Sequence, residues 1–96
     1  MKEITVADVR KILGKVLDDY HFYDMEKMSD KQLLEIDLRY DFGLDSMDIE
    51  DMCSAVFDQF GIDININSPL FKHPFQEEET VENFIDMVNY CLNRNA

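Results

Sequence analysis

Asp41-Phe42-Gly43-Leu44-Asp45-Ser46-Met47-Asp48 opens a stretch that continues through Ile49, Met52, Cys53, Val56 and Phe60 to Gly61. Asp45 and Asp48 stand at the spacing of a helix-capping pair. The apolar residues that follow, Met47 included, recur at helical intervals, and Gly61 is the residue type that most readily closes a helix in the left-handed conformation. A helix over about residues 46–60 is predicted. Gly43 permits a turn closed to bulkier residues, and Leu44 can anchor that turn in a core. Ser46 is then presented outward from the first turn of the helix.

Towards the N-terminus, Thr5 and Asp8 repeat the cap spacing, with Ile4 and Val9 placed to form a hydrophobic staple across it. Val9, Ile12, Leu13, Val16, Leu17 and Tyr20 predict a first helix over about 6–19. From Asp18 to Gly43 the pattern is irregular, with an aromatic cluster at His21-Phe22-Tyr23 and a possible short helix from Ser29 through Glu35. A connection of that length has to pack down or do something, and its apolar residues place it across the bundle. Beyond Gly61, Ile62, Ile64 and Ile66 alternate with polar residues but have no second strand to pair with, which predicts an extended apolar loop. Ser68-Pro69 can start a helix that Pro74 stops within a turn. Thr80 begins a last helix with Val81, Phe84, Ile85, Val88, Cys91 and Leu92 on one face and Glu77, Glu78 and Glu79 near its positive end. The expected fold is all-α, a small four-helix bundle of three main helices and one short one, in a single domain spanning residues 1–96.

Ninety-six residues leave little core to spare for an enclosed catalytic pocket, which favours a carrier or binding module. Apolar residues make up 46% of the chain, enough to fold despite a formal charge of −12. That charge repels nucleic acid and anionic lipid surfaces and calls for partners with basic patches. No membrane-length apolar run and no leader pattern is present, so a cytoplasmic monomer without stable membrane insertion is expected. Cys53 and Cys91 lack the short paired spacing of zinc or redox motifs and are expected to be reduced core thiols. His21 and His73 are isolated, and neither is expected to bind a metal. Met25, Met28, Met52 and Met87 suit irregular gaps in a core.

The eight positions from Asp41 to Asp48 closely resemble the phosphopantetheine-attachment motif of acyl carrier proteins. The likeness runs on through Phe60-Gly61-Ile62 and, more loosely, through Thr80-Val81 and the last helix. The first helix agrees in length and patterning only. The resemblance implies that Ser46 carries 4′-phosphopantetheine, transferred from coenzyme A by a phosphopantetheinyl transferase. It further implies a protein that catalyses nothing itself and shuttles acyl thioesters between enzymes of fatty acid or polyketide-type biosynthesis, such as a ketosynthase and an acyltransferase. Elementary chemistry agrees with this placement: a phosphodiester on the first turn of a helix sits beside unpaired N–H groups and the positive end of the dipole. The nearest histidines in sequence are more than twenty residues from Ser46, so no base for a serine triad is at hand locally.

No Lys or Arg occurs between Arg39 and Lys72, an interval that holds Asp41, Asp45, Asp48, Glu50, Asp51, Asp58 and Asp63. Such a face favours fast, weak, salt-sensitive encounters with basic partners. By the resemblance, the recognition surface is Asp45, Met47, Asp48, Asp51 and Asp58. Met52, Val56, Ile66, Phe71, Phe84 and Ile85 are expected to line a cleft for the acyl chain. Glu50 and Phe57 depart from the family pattern, where an apolar residue and an acid are usual, and the connection before Asp41 is longer than usual. These departures leave both a primary fatty-acid and a specialised pathway in play.

Other readings give weaker accounts of the same residues. Ser46 as a mere cap competes with Asp45, which already holds the better cap position. A calcium loop aligned on Gly43 or Gly61 puts Leu38 or Val56 at the first ligand, which fails. An unmodified interaction module with a carrier-like fold, and a carrier of amino or aryl acids, stand as the alternatives.

Overall fold

The computed structural model describes residues 3–64 and 80–94. Helix α1 spans Val6–Val16 and starts as its cap spacing predicts. Thr5 Oγ1 accepts from the Asp8 amide at 3.2 Å, and Asp8 Oδ2 accepts from the Thr5 amide at 2.9 Å. Val9, Ile12 and Leu13 face inward, and Ile4 is buried with them. The Ile4 amide donates to Asn89 Oδ1 at 2.8 Å, bringing the start of α1 against the last helix.

The first helix ends three residues earlier than its periodicity predicts. Leu17 turns to an extended conformation, and Asp18 then caps a separate helix, α2, over Asp19–Glu26. The Asp18 carboxylate accepts from the His21 amide at 2.8 Å, so a new N-cap takes over where the α1 stripe nominally continues. Tyr20, assigned by spacing to the core face of the first helix, is therefore an outward residue of α2, 74% exposed. Half of the connection read as irregular is helical. Its second helix, α3 (Asp30–Leu34), lies where the Ser29–Glu35 segment predicts, with a capping box between Ser29 and Gln32. Met25, Leu33, Leu38 and Phe42 from this region are all buried, which is how it lies across the bundle.

Two contacts lock α2 and α3 to α1. Phe22 packs over Gly14, where an added Cβ would meet its ring edge at 3.3 Å. The Arg10 guanidinium donates to the carbonyls of Met25 at 3.1 Å and Met28 at 2.8 Å and pairs with Asp30 at 3.0 Å. One side chain thus ties carbonyls at and just beyond the end of α2 to α1 and to the start of α3.

Helix α4 spans Ser46–Phe60, and α5 spans Val81–Arg94. The Gly61 φ of 75° ends α4 in the left-handed conformation. Thr80 Oγ1 accepts from the Asn83 amide at 3.1 Å, and the Val81 amide donates to the Ile36 carbonyl at 3.0 Å, pinning the start of α5 beside the end of α3. An isolated antiparallel bridge joins Asp37 and Thr80, and no strand is present among the described residues. Helix α1 is the hub: α4, α2 and α5 all pack on it, and α3 packs on α5. Ile49, Met52, Cys53 and Val56 from α4 join Val81, Phe84, Met87 and Val88 from α5 in one core. Each such fully buried large side chain contributes about 1.5–3 kcal/mol to folding. Ile62 and Ile64 are buried with exposed Asp63 between them, in keeping with an extended apolar segment.

The architecture is thus a small all-helical bundle with five helices among the described residues, rather than three long helices and a short one. The short helix expected after Ser68-Pro69, together with His73 and Glu77–Glu79, lies outside the described residues. None of the described helices is long and apolar enough to cross a membrane.

Candidate functional site

The segment before α4 is built by Asp37, a residue that patterning did not single out. Its Oδ1 accepts from the amides of Arg39 and Tyr40, each at 2.9 Å. The Asp37 amide in turn donates to Asp41 Oδ2 at 2.8 Å. Asp37 is buried, and its Oδ2 has no hydrogen-bond partner among the described residues. An Asp whose side chain bonds amides two and three residues on is a recognisable turn former, and that was the signal available in the sequence. The Leu44 amide donates to the Leu38 carbonyl at 3.1 Å, closing the loop, and Phe42 and Leu44 are buried on either side of Gly43. Gly43 sits at φ 66°, in the left-handed region, with nothing within 4 Å of where a Cβ would stand. Its conformation, rather than crowding, calls for glycine there.

This turn delivers the chain to Asp45, the N-cap of α4. Asp45 Oδ1 accepts from the Asp48 amide at 2.9 Å, and Asp48 Oδ2 accepts from the Asp45 amide at 3.1 Å. The bond from the Asp48 amide holds the Asp45 carboxyl below its ordinary pKa, with smaller help from the Met47 amide. Asp45 therefore does the capping that a serine could have done. Ser46, the first residue of the helix, is half-buried, and among the described residues no hydrogen bond involves its hydroxyl. The amides of Ser46 and Met47 belong to the first turn, which has no intrahelical acceptors for them. A hydroxyl with no partner among the described residues, beside the positive end of a helix of 15 residues, fits the charge of an esterified phosphate.

Around Ser46, the expected recognition residues divide by exposure. Met47 is 71% exposed, and Asp45, Asp51 and Asp58 are exposed, whereas Asp48 is half-buried by its capping role. Met47, Asp51 and Asp58 recur at helical spacing and so share one outward face of α4. Glu50 and Phe57 flank that face, Phe57 53% exposed. The expected cleft residues are brought together only in part. Met52, Val56 and Phe84 are fully buried members of the core, and Ile85 is half-buried against it. Ile66 and Phe71 lie outside the described residues. An acyl chain entering here would have to part Met52, Val56 and Phe84.

Neither cysteine is in a disulfide; Cys53 is buried and Cys91 half-buried. Burial, reinforced by Glu50 and Asp63, pushes the Cys53 thiol up to about 12. His21 directs Nδ1 at Asp18 Oδ1, 2.9 Å away, and sets its ring edge-on to Phe42 with 6.0 Å between centroids. This contact joins α2 to the turn that carries Ser46, and nothing in the sequence linked the two. Among the described residues, no group of three His, Cys, Asp or Glu side chains is placed to hold a metal ion. No family model, no curated protein and no solved structure matches the chain.

Proposed function

We propose that this chain is an acyl carrier protein bearing 4′-phosphopantetheine on Ser46. The observation that carries the reading is the state of that hydroxyl: on a half-buried residue, without a hydrogen-bond partner among the described residues, and at the first position of α4 behind a Gly43 turn. Asp45 takes the cap, so the hydroxyl has no local structural duty. In the modification, Ser46 Oγ forms a bond to phosphorus as the pyrophosphate of coenzyme A breaks. Adenosine 3′,5′-bisphosphate leaves, and the hydroxyl proton passes to a base of the phosphopantetheinyl transferase. The phosphodiester formed there carries negative charge, which the open first turn of α4 and the positive end of its dipole stabilise. When bound, the arm supplies a thiol that holds acyl groups as thioesters.

Asp45, Asp51 and Asp58, with Met47 as an apolar contact, then meet basic docking patches on a ketosynthase, an acyltransferase and related enzymes. Met52, Val56, Phe84 and Ile85 shelter the acyl chain. The protein works as a monomer in the cytoplasm and takes no part in catalysis beyond presenting its cargo. The test is incubation with coenzyme A and a phosphopantetheinyl transferase, followed by intact mass. The expected result is one phosphopantetheinyl adduct on the wild-type chain and none on Ser46→Ala. A correctly folded wild-type chain that never gains the adduct would instead be an interaction module that keeps the bundle without the prosthetic group. Loading assays with acyl and aminoacyl donors distinguish an acyl carrier from an aminoacyl or aryl carrier.

A further inference from the structure

Helix α2 has features that holding the bundle together does not require. It is fixed from two sides, by Phe22 over Gly14 and by Arg10 on the carbonyls of Met25 and Met28. Its inward face, His21 and Met25, turns towards the core and the Ser46 turn. The other face is left outward, and there Tyr20 is 74% exposed and Tyr23 66% exposed, three residues apart and so on one side of the helix. Tyr20 stands edge-on to His21 at 5.2 Å between centroids, and His21 stands edge-on to Phe42, four residues before Ser46. A ladder of rings thus runs from the surface of α2 to the turn that presents the serine. The same helix and its cap carry Asp18, Asp19, Asp24 and Glu26, matching the sign of α4, while Lys27 lies over the Tyr23 ring at 4.2 Å.

Exposed tyrosines among acids are the composition of a docking surface for a basic protein, because tyrosine supplies large contact area at low conformational cost. One partner must come close. An enzyme that acts at the tip of a long arm can stay away from the carrier body, but an enzyme that esterifies Ser46 Oγ has to bring its own active site to that oxygen. Its surface therefore overlies the residues around Ser46, and the ring ladder ties α2 to the turn that presents that serine.

We infer that the Tyr20–Tyr23 face of α2 is a second docking element for the phosphopantetheinyl transferase that modifies Ser46, alongside the acidic face of α4. The inference rests on the carrier reading. The transferase surface it requires is basic, with an apolar groove that receives Tyr20 beside the opening to its active site.

The test compares the wild-type chain with Tyr20→Ser, Tyr23→Ser and the double variant, using coenzyme A and the phosphopantetheinyl transferase of the source organism. Circular dichroism checks the fold, and Tyr90→Ser, an exposed tyrosine on α5, serves as the control. Loss of an interfacial tyrosine anchor corresponds to about a tenfold fall in kcat/KM for Tyr20→Ser, expressed in KM with kcat kept. The double variant falls further, and Tyr90→Ser is unchanged. Folded Tyr20 and Tyr23 variants modified at the wild-type rate overturn the docking role of α2 while leaving the carrier reading intact. A wild-type chain that is never modified overturns the reading itself and this inference with it.

Discussion

Replacing Gly43 by alanine tests whether the turn before Ser46 depends on glycine for the reason argued above. At φ 66° an L-residue sits in the left-handed region, but the space where its Cβ would stand is open for 4 Å. The cost is then conformational alone, about 1–2 kcal/mol. For a domain of this size each kcal/mol moves Tm by roughly 4–8 °C, so Gly43→Ala is expected to melt roughly 4–16 °C lower. Asparagine tolerates the left-handed region better than alanine, and Gly43→Asn should lose clearly less. Gly61, at φ 75° and equally uncrowded, provides a matched site at the other end of α4. The two glycines are separated by a helix about 22 Å long, so the double alanine variant should lose the sum of the single losses. Urea unfolding should shift the midpoint of each variant without changing the slope. Alanine as stable as glycine at position 43, or asparagine no better than alanine, would refute the conformational argument. A loss far above 2 kcal/mol would mean a collision that the open space excludes.

Three further outcomes are expected. Arg10→Ala removes the donor shared by the Met25 and Met28 carbonyls and should cost about 1–3 kcal/mol, with amide exchange in α2 and α3 accelerating before that in α4; Arg10→Lys should rescue poorly because an ammonium lacks the guanidinium fork. Cys53, with its thiol pushed up to about 12, is almost wholly protonated at pH 8 and should resist iodoacetamide in the native protein, then react in urea, as followed by mass. The Asp45 carboxyl is held below its ordinary value of 3.8 in the folded chain, so the stability it lends is fully present above that pH and is lost as pH falls through the lower folded value; Asp45→Asn should flatten that part of an acid titration of Tm.

How much of this was legible in the sequence depended on whether a local signal coincided with burial. Helix α4 was readable to its ends because a capping pair and a left-handed glycine bracket an apolar stripe, and α3 because Ser29 and Gln32 form a box of their own. Helix α2 was hidden: no Gly or Pro marks the break at Leu17, and its aromatic residues point both inward and outward, so no stripe forms. Tyr20 continued the α1 periodicity by accident. The placement of Ser46 followed from Gly43, Leu44 and Asp45, but its neighbour on α2 did not, since a contact such as His21 on Phe42 has no expression in local spacing. Patterning found Met52, Val56 and Phe84 as inward residues, but periodicity marks burial and cannot distinguish a closed core from a groove.

The hydrogen bond from the Ile4 amide to Asn89 joins positions 85 apart in the chain. A polypeptide fused ahead of Ile4 therefore departs close to the side of the last helix, and one reporter there would register fraying of both α1 and α5. A fluorophore installed near Ile4 should accordingly report loosening of the closing helix while leaving Ser46, at the opposite end of α4 from the Gln59 that meets Asp8, free for its chemistry.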